Sequence, residues 1–124
     1  MRSDRTLKAW YREINSRYFD SELPDNVCVR WVNEDDLDED ERIEEKASGF
    51  SQKLSGDSHY AQVVLSNDLR KARCQRLAVL VHEMIHVATD FRDDHGEAFE
   101  RWRVRLAQRG IFKKGAVLRG VTLF

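Results

Sequence analysis

Proline is nearly missing from this chain: Pro24 is the only one in 124 residues. There is also no internal repeat and no Gly/Ser tract, so nothing marks a linker, and residues 1–124 are expected to form a single domain. Only two cysteines occur, Cys28 and Cys74, far apart and outside any CxxC arrangement. Neither a disulfide framework nor a cysteine zinc site can be built from them, and two reduced, buried thiols are the expectation. The longest unbroken aliphatic run, Leu77 to Val81, is far too short to span a bilayer. Asp4 and Lys8 stand where a signal peptide would need an apolar stretch. A membrane partner is therefore not expected. A cytoplasmic location is, with nucleoid-associated or nuclear placement as alternatives.

What is abundant is charge, at 35% of residues against 41% hydrophobic, with a formal net charge of only −1. The balance hides an asymmetry. Glu34 to Glu45 holds nine acidic residues and one basic residue, Arg42, whereas Arg101 to Phe124 holds seven basic residues and no acidic one. The two stretches differ sharply in potential. Asp36, Asp38 and Asp40 imitate the start of a calcium loop, but Glu41 stands where that loop needs glycine and Ala47 where it needs its bidentate glutamate. A solvated acidic loop is the better reading.

Apolar residues at helical spacing, Leu7, Trp10, Tyr11, Ile14, Tyr18 and Phe19, predict a first helix capped by Ser3 and ending near Phe19. Asp20 to Asn26 follows as a turn around Leu23 and Pro24. Three short strands are then predicted: Val27 to Val32, a second around Gly49 and Phe50, and Tyr60 to Leu65 after a turn at Gly56 and Asp57. Together they suggest a small three-stranded antiparallel sheet. From about Ala72 to Phe91 the apolar period is 3.6 with no glycine or proline to break it, and a last helix runs from about Glu97 to Arg109, stopped by Gly110. An α+β fold with the long helix against the sheet and helices flanking it is expected. The tail from Ile111 onward stays unassigned.

The residues that carry chemistry lie inside the long helix. His82-Glu83-Met84-Ile85-His86 puts two imidazoles four residues apart, hence on one face, where they can share an ion. Glu83 is turned about 100° from His82, beside the metal position, where a base for the attacking water belongs. A catalytic zinc takes three protein ligands and keeps a fourth place open. His95 supplies the third, with Gly96 behind it to let the chain turn. Zinc, with Glu83 as general base for its water, follows. The competing reading makes His82 and His86 hydrogen-bonded helix residues and Glu83 a solvated charge. His59 and Tyr60 are candidates to stabilise an oxyanion, and Asp90, Asp93 and Asp94 to accept from the ligating imidazoles. Arg101, Arg105 and Arg109, one stripe of the last helix, could neutralise DNA phosphates. A solvated basic face facing the acidic loop explains them as well.

These motifs, with Trp10, Asn15, Tyr18, Phe19, Leu23, Pro24, Trp31, Gly49, Val64, Leu65, Ser66 and Phe99 around them, resemble the SprT-like metalloproteases. That family includes bacterial SprT proteins and the Spartan proteases of DNA–protein crosslink repair. The resemblance implies a compact zincin-like (minigluzincin) domain with His82, His86 and His95 as zinc ligands and Glu83 as base. It implies peptide hydrolysis, with DNA-bound or DNA-crosslinked proteins as substrates. A DNA-associated metal-binding module with little turnover is the alternative.

Overall fold

A computed structural model describes residues 2–33, 49–56, 58–92, 95–111, 117–118 and 121–122. The acidic stretch Glu34 to Glu45, Asp93 and Asp94 lie outside the described residues. Helix α1 spans Arg5–Tyr18 and buries Leu7, Trp10, Tyr11, Ile14 and Tyr18, the stripe expected from their spacing. Its cap is Asp4, whose carboxylate accepts from the Leu7 amide at 2.9 Å. Ser3, the expected cap, instead accepts from the Val29 amide at 3.0 Å and so ties the N-terminus to the first strand. After α1, Asn15 clamps the Leu23 backbone with two hydrogen bonds, at 3.0 and 3.1 Å. Tyr11 gives its hydroxyl to the Pro24 carbonyl at 2.6 Å. Burial pushes that phenol well above its ordinary pKa, so it stays a donor.

Strands β1 (Val27–Val32), β2 (Gly49–Lys53) and β3 (Ala61–Ser66) form one sheet in the order β1-β3-β2. β2 pairs antiparallel with β3, as expected, but β1 pairs parallel with it, Val27 opposite Ala61. The sheet is therefore mixed, not antiparallel. β3 is the central strand, and Ala61 to Leu65 are all buried, as befits a strand covered on both faces. Two edge strands then flank it, and only one of them can be its hairpin partner. A 3-10 turn, Asn67–Lys71, begins at Ser66 and delivers the chain to α2 (Arg73–Ala88), the predicted long helix.

Helix α2 lies on the sheet through Leu77, Leu80, Val81, Met84 and Ile85, all at 2% exposure or less. At Gly49 an added Cβ would come within 2.6 Å of the Val64 carbonyl and 3.0 Å of Val79, so only glycine permits this approach of strand and helix. Helix α3 (Glu97–Gln108) buries Phe99 and Leu106 against the same core and ends at Gly110, whose φ of 87° is the left-handed stop its residue type predicted. A two-stranded hairpin, β4 (Val117–Leu118) and β5 (Val121–Thr122), occupies the tail left unassigned above. Cys28 is buried and free; the Cys74 side chain lies outside the described residues. No helix among the described residues is long and apolar enough to cross a membrane.

Candidate metal centre

Helix α2 carries His82 and His86 on its outer face, with ring centroids 5.1 Å apart, as the spacing of four requires. Its C-terminus then reverses sharply. Thr89 donates its hydroxyl to the His86 carbonyl at 3.1 Å, and the Phe91 amide returns to the same carbonyl at 2.8 Å. The reversal is made by Asp90 and Phe91, at φ 54° and 61°. Gly96, expected to make the turn, has φ −84° and serves as the N-cap of α3. Between them the chain brings His95 back over α2.

The result is a cluster of three imidazoles. His95 Nε2 stands 3.2 Å from His86 Nε2 and 3.1 Å from His82 Nε2. Phe99 lies behind all three, its ring centroid 4.9 to 5.0 Å from each, and is 6% exposed. It forms an apolar floor that fixes the rings while His82 and His95 stay open to solvent. In the sequence Phe99 stood out only as one of the residues that carry the family resemblance, without a role.

The donor set fits a cation. Each neutral imidazole nitrogen is either donor or acceptor, so among three that converge at least two present the same kind of group and cannot hydrogen-bond to one another. A metal ion accepts every lone pair. Ligand nitrogens about 2.0 to 2.1 Å from a tetrahedral centre are about 3.3 to 3.4 Å apart, close to the spacing seen. These three histidines can therefore hold a metal ion.

Glu83 departs from the solvated alternative altogether: it is 5% exposed. Its side chain turns toward β2, where Ser51 hydrogen-bonds to the carboxylate, while Oε2 is buried with no hydrogen-bond partner. Burial raises its pKa to about 7, opposed in part by the Ser51 hydroxyl. Ser51 was not foreseen, since no local pattern tells which strand residue will face the helix.

Two other candidates, Tyr60 and Asp90, meet one another. Tyr60 gives its hydroxyl to Asp90, and Lys53 pairs with the same carboxylate at 3.1 Å. Asp90 thus binds the sheet, and the Tyr60 hydroxyl is committed to it. Arg105 and Arg109 both donate to Asp20, each at 2.8 Å, and Arg105 also lies 3.3 Å from Glu22. Among the described residues, the acids facing Arg105 and Arg109 are those of the turn after α1. Arg101 takes part in neither pair. It lines a groove of about 690 Å³ that starts at His95 and follows α3 past Val104 to Gln108.

A small α+β domain with three histidines converging over a phenylalanine, and a buried carboxylate next to one of them in sequence, defines a candidate metalloprotease-type domain. The chain belongs to the SprT-like family, whose model matches residues 7–115. That span includes all but the first two residues of α1, the sheet, α2, the histidine cluster and α3. No curated protein and no solved structure matches the chain in the same comparisons.

Proposed function

We propose that this chain is a zinc-dependent endopeptidase with a zincin-like active-site helix, in which His82, His86 and His95 hold the metal and Glu83 is the general base. The observation that carries the reading is the convergence of three Nε2 atoms beside a helix whose buried glutamate keeps one oxygen without a hydrogen-bond partner. A zinc ion held there supplies Lewis-acid chemistry when bound. Glu83 takes a proton from the attacking water and returns it to the leaving amine, the task of a general base beside the metal position. The substrate chain lies extended along the free edge of β2, the edge strand next to α2.

The test is metal analysis and cleavage of an unfolded protein by the parent, E83Q and H95A side by side. E83Q should keep near-stoichiometric zinc and lose cleavage, whereas H95A should lose both. Undiminished proteolysis by E83Q sinks the assignment. A parent that binds zinc but cleaves nothing favours the metal-binding module instead.

A DNA partner is proposed on narrower ground than a three-arginine stripe, because Arg105 and Arg109 are engaged with Asp20 while Arg101 fronts the groove that begins at His95. Proteins bound to the same strand would be cleaved preferentially, since tethering raises their local concentration. R101E should weaken DNA binding in about 50 mM salt and leave zinc content unchanged. Identical binding by parent and variant removes this partner.

A further inference from the structure

The inward positions of β2 keep step with α2. Gly49, Ser51 and Lys53 alternate onto one face, opposite Leu65, Val63 and Ala61 of β3, while Phe50 packs on the other side with Val32 and Val64. Along that inward face, Gly49 lies against Val79, Ser51 hydrogen-bonds to Glu83, and Lys53 reaches Asp90 beyond the helix end. Two strand residues advance about 6.6 to 6.8 Å and four helical residues about 6 Å, so strand and helix stay in phase from Val79 to Glu83. Ser51 is the β2 residue this phase delivers to Glu83.

A carboxylate held at one oxygen has lost its rotation. Glu83 is buried, and its Oε2 has no hydrogen-bond partner. We propose that Ser51 is the positioning residue for Glu83, its hydroxyl fixing the carboxylate so that Oε2 is the oxygen presented for proton transfer. The inference rests on the reading of Glu83 as base. It also joins substrate seating to catalysis, because a polypeptide paired along β2 lies on the same strand that aims the base. Register on the edge and orientation of the carboxylate are set by the same five residues.

The experiment compares S51A, S51T and E83Q with the parent, each checked for zinc content and melting temperature. S51A should lower kcat about 10- to 100-fold, the usual effect of losing a residue that orients a metal-site group, with KM changed less than about twofold. S51T keeps a hydroxyl at the same place and should recover most of kcat. An S51T as impaired as S51A overturns the proposal, since the hydroxyl would not be the cause. Parental kcat in S51A beside an inactive E83Q overturns it too, with the base assignment left standing; an active E83Q removes that assignment itself. A readout independent of turnover is the Glu83 carboxylate stretch, isolated as the parent-minus-E83Q infrared difference. That band should move in S51A and not in S51T, and an unmoved band in S51A refutes the proposal even if no substrate is cleaved.

Discussion

Helix α1 closes through Asp20 and Ser21, at φ 54° and 60°, and α2 closes through Asp90 and Phe91, at φ 54° and 61°. Left-handed backbone costs roughly 1–2 kcal/mol at each residue that is not glycine, so both ends must be held by something else. In both, the first left-handed residue is an aspartate that gathers donors from a distant element. The surroundings differ. Asp20 faces solvent and accepts Arg105 and Arg109 of α3, while Arg109 also donates to the Tyr18 carbonyl at 3.2 Å. Asp90 sits deeper, takes the Tyr60 hydroxyl and the Lys53 ammonium, and has Phe91 packed on the core beside Tyr60. One end joins helix to helix; the other anchors to the sheet the helix that carries His82 and His86. The same backbone reversal is thus used once at an exposed helix end and once at the end of the helix that carries two of the candidate ligands.

The deeper end should matter more. Asp90→Ala removes the acceptor of the half-buried Tyr60 hydroxyl and is expected to cost about 1–3 kcal/mol, the range for leaving a buried polar group unpaired, with little added by the exposed Lys53. It should also weaken zinc binding, because the released turn begins at His86. Urea denaturation and zinc titration measure both, and a loss no larger than that of an Asp20 variant would erase the distinction between the two ends.

Asp20→Asn should give a smaller loss that shrinks further in high salt, as expected of an exposed pair. Its pH dependence sharpens the contrast. Arg109 first, and then Arg105, hold the Asp20 carboxyl below its ordinary value in the folded chain. A depressed folded pKa contributes stability that is complete above the unfolded carboxylate value of about 3.9 and disappears as pH falls through the lower folded value. The side-chain amide of the D20N variant cannot titrate, so its thermal stability should fall off less steeply below about pH 4 than that of the parent. Parallel acid limbs would show that the arginines do not hold this carboxylate in solution.

Much of this was legible in the chain. The helices announced themselves through apolar period and end signals, and three of the four histidines fell at spacings that pointed to a shared site. What the sequence could not reveal is pairing across distance. The apolar segment at β3 looks alike whether its neighbour is parallel or antiparallel, so the mixed sheet was missed. Asp90 and Tyr60 were each singled out, for separate tasks, yet their contact with one another joins residues on different elements. Ser51 is polar, ordinary in its segment, and acquires meaning only once β2 is laid in phase with α2. Local chemistry was readable; the partner of each group was not.

The strand order has a consequence in time. The central strand β3 is the last of the three to be synthesised, so β1 and β2 emerge with nothing to pair with. From Val27 to its partner Ala61, a ribosome adding about 5–20 residues per second needs about 2–7 seconds. Through that interval the apolar segment Val27–Val32 is an unpaired strand, the kind that associates with other chains. The next stretch to emerge is Glu34 to Glu45, nine acids in twelve residues, and like charge beside an exposed apolar segment opposes such association until β3 arrives.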